Sequence, residues 1–137
     1  MIDIYVDIDP VGKGRPRFTR AGHTYTPPAT KSAEKEIVRE WKISYPDMFF
    51  EKGVPLILSV VAYFPIPPSW GKNKTRAAAE GELFPTKRPD GDNILKLVAD
   101  ALNGVAYEDD AQIVSMAVRK VYTGGAGCIK VSIDEYK

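Results

Sequence analysis

Apolar residues at Ile2, Ile4, Val6 and Ile8 alternate with polar Asp3, Tyr5, Asp7 and Asp9. A period of two predicts a half-buried strand, ended by Pro10. The following stretch to Pro28 carries Gly12, Gly14, Pro16, Gly22 and Pro27, which predicts a loop or an irregular hairpin. The period then changes. Ala33, Ile37 and Trp41, with Val38 beside them, recur at helical spacing and predict a helix capped by Thr30, running to about Ser44 and stopped by Pro46. Val54 to Phe64 is rich in Val, Ile, Leu and Tyr and reads as a central strand. A long connection follows from Pro65 to Pro89, proline-rich and then basic, with room for a short helix at Thr75–Glu80. Asp90 or Asp92 opens a second helix reaching about Asn103, with Ile94, Leu95, Val98, Ala101 and Leu102 as its apolar stripe and Gly104 as its stop. Gln112–Tyr122 and Ile129–Ile133 read as two more strands, joined through residues 123–127 as an antiparallel hairpin. The order β-α-β-loop-α-β-β predicts an α+β fold. Two main helices would pack on a mixed sheet, in one domain spanning residues 1–137.

Composition narrows the chemistry. A chain of 137 residues, 44% hydrophobic and 27% charged, is long enough for a core without disulfides. Its single cysteine, Cys128, excludes an intrachain disulfide framework and any zinc site built on several thiolates. Its single histidine, His23, excludes imidazole-rich metal sites and catalysis by a His pair. Asp3, Asp7 and Asp9 stand where a signal peptide needs a basic start, and Pro55, Pro65, Pro67 and Pro68 break the most apolar segment. No membrane partner and a cytoplasmic location are therefore expected.

The net charge of +1 hides a strong asymmetry. Val11 to Lys31 carries Lys13, Arg15, Arg17, Arg20 and Lys31 without an acid. Gly71 to Arg88 adds Lys72, Lys74, Arg76, Lys87 and Arg88 against Glu80 and Glu82. From Pro89 to Gln112 the sign reverses, with Asp90, Asp92, Asp100, Glu108, Asp109 and Asp110 against Lys96 alone.

The segment Arg88-Pro-Asp90-Gly-Asp92-Asn93-Ile-Leu-Lys96 is the strongest local signal. Two aspartates at a loop-to-helix junction can present oxygens to one point, and crowded carboxylates stay ionised best around a cation. Oxygen ligands without thiolates suit Mg²⁺ or Mn²⁺. Asp92 and Lys96 share a helix face, with Asn93 beside them. The same residues also make a good surface turn with an N-cap aspartate. A second acidic cluster, Tyr107-Glu-Asp-Asp110, follows the helix. An extended return from Gly104 at about 3.3 Å per residue just covers the helix length, so Asp110 can rejoin the first pair. Lys13-Gly-Arg-Pro-Arg17, with Phe18 and Arg20, has the charges to hold a phosphate backbone. His23 reads as a hydrogen-bonded loop residue, Cys128 as packing and Trp41 as core. Tyr63, Phe64 and Trp70 would either stack a base or staple the loop.

Pro89-Asp-Gly-Asp-Asn-Ile-Leu-Lys96, then Asp100-Ala-Leu-Asn-Gly104, then Tyr107-Glu-Asp-Asp-Ala-Gln-Ile-Val114 resembles the signature of the RusA-type Holliday-junction resolvases, a family common in phages and prophages. Pro10-Val-Gly-Lys-Gly-Arg-Pro-Arg17 is similar to the N-terminal loop of phage-type members. The resemblance implies a Mg²⁺-dependent endonuclease, accepting Mn²⁺ as a substitute and needing no small-molecule cofactor. It implies a homodimer that nicks four-way DNA junctions symmetrically. By the same resemblance Asp90, Asp92 and Asp110 are the catalytic, metal-holding aspartates and Lys96 the essential lysine, supported by Asn93 and Asp109. Lys13, Arg15, Arg17, Arg20, Lys87 and Arg88 would contact DNA. Two departures stand out: Gly91 replaces an apolar residue common between the aspartates, and the 65–88 connection is longer than in familiar members. A nuclease for other branched or flap DNA, or a non-catalytic DNA-binding module with structural acidic clusters, are the other readings.

Overall fold

The computed structural model describes residues 2–137. Its elements run β1 (Ile2–Val6), β2 (Arg17–Phe18), β3 (Thr24–Tyr25), α1 (Pro28–Ser44), β4 (Leu56–Pro65), α2 (Lys72–Ala79), α3 (Gly91–Leu102), β5 (Ile113–Thr123) and β6 (Cys128–Glu135). The fold is α+β. A four-stranded mixed sheet has the order β1-β6-β4-β5, and β2 and β3 form a separate small ribbon. α1 and α3 pack on each other, with α1 against β1 and α3 against β5.

The alternation within the strands decides which face they cover. Leu56, Leu58, Val60, Ala62 and Phe64 of β4 are buried, while Ile57, Ser59, Val61 and Tyr63 between them are half-buried. Ile133, Val131 and Ile129 of β6 stand in register beside Leu58, Val60 and Ala62, and Ile4 and Val6 of β1 continue the same layer. Ile37 and Trp41 of α1 and Ile94, Leu97, Val98 and Leu102 of α3 close the core from above. Leu97 belongs to this core, whereas Leu95 of the expected stripe is only half-buried.

The last two strands correct the expected hairpin. β5 runs parallel to β4, β6 runs antiparallel to β4 on the opposite side, and the two do not pair with each other. The route from β4 to β5 passes through α2 and α3, and a helical crossover returns a strand parallel to its predecessor. β6 must then pass β4, a lateral step of about 9.6 Å at two strand spacings. Residues 123–127 bridge that step as easily as they would close a hairpin.

Helix starts also differ. α1 begins at Pro28, which needs no N–H partner in the first turn. Thr30 is not the cap; it is buried and its Oγ1 accepts from the Gly14 N–H at 3.0 Å. β1 ends at Val6, where the Ile8 N–H turns back to the Val6 carbonyl at 2.9 Å, so Ile8 lies beyond the strand. The short helix of the long connection is present as α2 and packs against β5. Trp70 staples this connection: its ring lies 5.2 Å from Tyr122, and the Lys74 ammonium sits 4.1 Å from its centre. Among the described residues, no helix is long and apolar enough to cross a membrane.

Candidate active site

The polypeptide enters α3 through a cis Arg88–Pro89 bond, with Asp90 at the N-cap and Asp92 in the first turn. The Asp90 carboxylate makes no capping hydrogen bond. Asp92 lies inside the helix and is not its cap. Gly91 lies against β5, where a Cβ would come 3.0 Å from a methyl of Val118. Asp92, Lys96 and Asp100 follow at four-residue steps and share one face of α3, opposite the buried Leu97, Val98 and Ala101.

The second acidic cluster returns to this face through a tight reversal. Gly104 adopts φ +78°, a conformation open to glycine, and its N–H donates to the Tyr107 carbonyl at 2.9 Å. Tyr107 is fully buried and its hydroxyl donates to the Ala99 carbonyl at 2.6 Å, tying the turn to the middle of α3. Asp109 then caps a single 3₁₀ turn over residues 110–112: its Oδ1 accepts from the Ala111 N–H at 3.0 Å, and its own N–H donates to Gln112 Oε1 at 2.9 Å. The buried Gln112 amide donates to the Glu51 and Val54 carbonyls at 2.7 and 3.1 Å. Asp109 is thus committed to the backbone, and Asp110 faces α3. Asp92, Lys96, Asp100 and Asp110 line one cavity of about 300 Å³, whose apolar wall is Leu95, Ala99 and Met116.

Partial burial raises the Asp110 carboxyl from its ordinary value, reinforced by its hydrogen bond and charge interaction with Asp109 and by the charge of Asp100. Asp109 moves the other way, held low first by the Ala111 N–H and then by its hydrogen bond with Asp110. The Tyr107 hydroxyl is raised by burial and by the Asp110 and Asp100 charges, so it remains a donor at neutral pH. A folded-state carboxyl raised above its unfolded value stabilises below the unfolded value, and that contribution disappears as pH rises through the folded one. Asp110→Asn should therefore raise the neutral-pH stability of the metal-free protein. Urea unfolding in chelator at several pH values checks this, because the gain should vanish as pH falls through the raised Asp110 value.

A second pocket of about 480 Å³ adjoins the start of α3, lined by Lys13, Arg15, Arg88, Asp90 and Asn93. The N-terminal loop reaches it by lying directly on the helix. The Lys13 N–H donates to the Asn93 carbonyl at 2.9 Å, and a Cβ on Gly12 would stand 2.8 Å from the Asn93 Cβ. Gly12→Ala should therefore cost about 1–3 kcal/mol by overpacking, readable as a lower urea midpoint at unchanged slope. The Lys13 ammonium bridges Glu34 at 3.3 Å and Asp100 at 3.4 Å, so it joins this pocket to the carboxylate cavity. Arg17 and Arg20 are elsewhere, on the exposed β2–β3 ribbon with Phe18 (73% exposed) and His23. Lys87 borders a third pocket beside Phe64 and Pro65, and its carbonyl accepts from Lys120 Nζ at 2.6 Å.

Asp92, Lys96 and Asp110 thus share a cavity, while Asp90 and Asn93 face the adjoining cation-lined pocket and Asp109 lies outside both. Among the described residues no three His, Cys, Asp or Glu side chains stand close enough together to hold an ion as they are. The donors are nonetheless all carboxylate oxygens with an ammonium beside them, a set that fits a hard divalent cation and no soft one. Asp100 is the cavity residue that the motif reading passed over. Its spacing carried the signal, since positions 92, 96 and 100 lie on one helical line.

A carboxylate and ammonium cavity beside a pocket of guanidinium groups is an arrangement suited to phosphate esters. Residues 7–134 match the family described as endodeoxyribonuclease RusA, and the chain belongs to that family. It is 36% identical over 120 residues to the uncharacterized protein YqaN of Bacillus subtilis (strain 168), covering 84% of this chain and 83% of that protein. It is 39% identical over 77 residues to the crossover junction endodeoxyribonuclease rusA of Lactococcus phage r1t, covering 56% of this chain and 52% of that protein.

Proposed function

We propose that this chain is a structure-specific DNA endonuclease that cuts four-way junctions as a homodimer, by paired symmetric nicks, with Mg²⁺ as cofactor and Mn²⁺ as its substitute. The observation that carries the reading is the meeting of Asp92, Lys96 and Asp110 in one cavity, beside the pocket of Lys13, Arg15, Arg88 and Asp90. The phage relative's name supplies the substrate class. Two-fold symmetry suits a junction whose opposed strands are cut by equivalent subunits.

Asp92 and Asp110 would hold the cation from the cavity, with Asp90 joining from the N-cap of α3 beside it. Bound there, a divalent ion supplies Lewis acidity and a water of lowered pKa. Arg15 and Arg88 would grip a backbone phosphate, and Asn93 would offer its amide to the same group. Lys96 would present its ammonium to the phosphoryl oxygens as negative charge accumulates on them. The water oxygen would bond to phosphorus as the bond from phosphorus to one ester oxygen breaks, the water releasing a proton to solvent and the departing oxygen taking one up, which leaves a phosphate monoester and a hydroxyl at the nick.

The test is cutting of labelled four-way junction, fork, flap and linear duplex, with Mg²⁺, with Mn²⁺ and with chelator. Metal-dependent, paired nicks in the junction alone are expected. Equal cutting of forks or flaps would assign the same cavity to branched DNA generally. Binding without cutting under every condition would leave a DNA-binding module.

A further inference from the structure

α1 carries cations at Lys31, Lys35, Arg39 and Lys42, all exposed. At 100° per residue these positions fall within an arc of about 80°, and no acid lies inside that arc. Glu36 and Glu40 lie to one side of it and Glu34 to the other. The core residues Ala33, Ile37 and Trp41 occupy a separate sector, so the stripe faces away from the sheet. Beside it runs an open groove of about 650 Å³ between α1 and α3, bordered by Lys35, Arg39 and Lys42, with Val38, Ile43 and Ala101 as apolar surface. Ile43 is 61% exposed there.

Three features single out this stripe from ordinary solvated charge. The groove is continuous with the candidate active site, because Asp100 borders both. Its two acidic residues, Glu34 and Asp100, share the single Lys13 ammonium, and Lys35, Arg39 and Lys42 outweigh the negative charge that remains over the groove. Arg39 has only a loose exposed pairing with Glu36 at 3.6 Å, which a phosphate can displace at little cost. Lys31 to Lys42 spans about 16 Å of helix, the axial rise of about five base pairs.

Building on the nuclease reading above, we infer that this face of α1 is a DNA-tracking surface, on which the phosphates of a duplex arm lie as that arm leaves the carboxylate cavity. It is a surface apart from the N-terminal loop and the Arg88 pocket, and it explains how a small protein engages an arm beyond the nick site.

The experiment compares the full chain with Lys35→Ala/Arg39→Ala/Lys42→Ala and with the charge-keeping Lys35→Arg/Lys42→Arg. Affinity for a labelled four-way junction is measured in chelator from 50 to 200 mM salt, alongside unfolding curves and sedimentation. Loss of three phosphate contacts should lower the slope of log K against log[salt] by about 2.7, so the parent's advantage shrinks about 40-fold across that range. The arginine variant should keep the parental slope. A folded alanine variant with the parental slope and affinity overturns the inference. So does one that alters only the oligomeric mass, which would mean that a second copy covers this face. A parent that binds the junction but cuts nothing removes the nuclease reading while the slope comparison still decides the surface. A parent that binds no DNA overturns both.

Discussion

Asp110→Asn should abolish cutting while the protein folds and binds junctions as before. Asn keeps the shape of Asp and removes its charge. The substitution leaves Asp92 and Asp100 as the carboxylates of the cavity and would take away one anionic oxygen donor of the proposed cation. The loss in single-turnover rate should exceed the roughly 100- to 1,000-fold that removal of one electrostatic donor costs, since on the proposed reading the ion itself would be held less well. Asp92→Asn should match it, and the double variant should be little worse than either, because groups serving one ion do not contribute additively. Asp90→Asn should also stop cutting, with a second signature. Asp90 sits among Lys13, Arg15 and Arg88, so neutralising it strengthens the attraction of that pocket for phosphate, and junction affinity in chelator should rise. Asp110→Asn has no such pocket to unmask. Cutting by Asp110→Asn at the parental rate would move the metal to other carboxylates, with Asp100 first, because Asp109 is occupied as a cap.

The expected gain in neutral-pH stability for the same Asp110→Asn substitution gives this result its physical sense. Burial and two neighbouring carboxylates make Asp110 uncomfortable when ionised. A cation would relieve that repulsion, and an amide relieves it without chemistry. Residues kept at a cost to the fold cluster at functional sites.

What could be read from the sequence follows from what local pattern encodes. β1, α1 and α3 were legible from their periods because each buries one face, β4 from its run of β-branched and aromatic residues, and the limits of α3 from Asp90 or Asp92 at its start and Gly104 at its stop. Strand partners were not: alternation in β5 and β6 states which face is buried but not which strand lies alongside. The approach of Asp110 to α3 was legible as reach. The device that secures it, Tyr107 on the Ala99 carbonyl with Asp109 capping the next turn, depends on hydrogen bonds that spacing alone does not specify. Lys13 shows the same limit. It reads as one more cation of a basic loop, yet two carboxylates from different helices hold it between the two pockets.

Lys96→Ala should slow cutting about 100- to 1,000-fold with little change in junction affinity. The competing account makes Lys96 a surface partner of Asp92, one turn away, worth about 0.3–0.5 kcal/mol. The structure weighs against it: both side chains line the cavity, and among the described residues Lys96 forms no ion pair with Asp92 or any other acid. An ammonium without an ion pair among the described residues, in a cavity with three carboxylates and beside a pocket proposed to grip phosphate, is placed to meet charge that develops during the reaction. Such a group acts on the transition state more than on the bound junction, so its loss belongs in the rate of the chemical step. Single-turnover nicking with protein saturating the junction isolates that step from binding and release. Lys96→Arg retains the charge but spreads it over a planar group of different reach, so it should recover only part of the rate. Unfolding curves should show Lys96→Ala within about 1 kcal/mol of the parent, because the side chain is exposed and forms no ion pair among the described residues. A Lys96→Ala protein that cuts within a few-fold of the parent would return this lysine to the solvated surface and leave the carboxylates and their ion to carry the reaction.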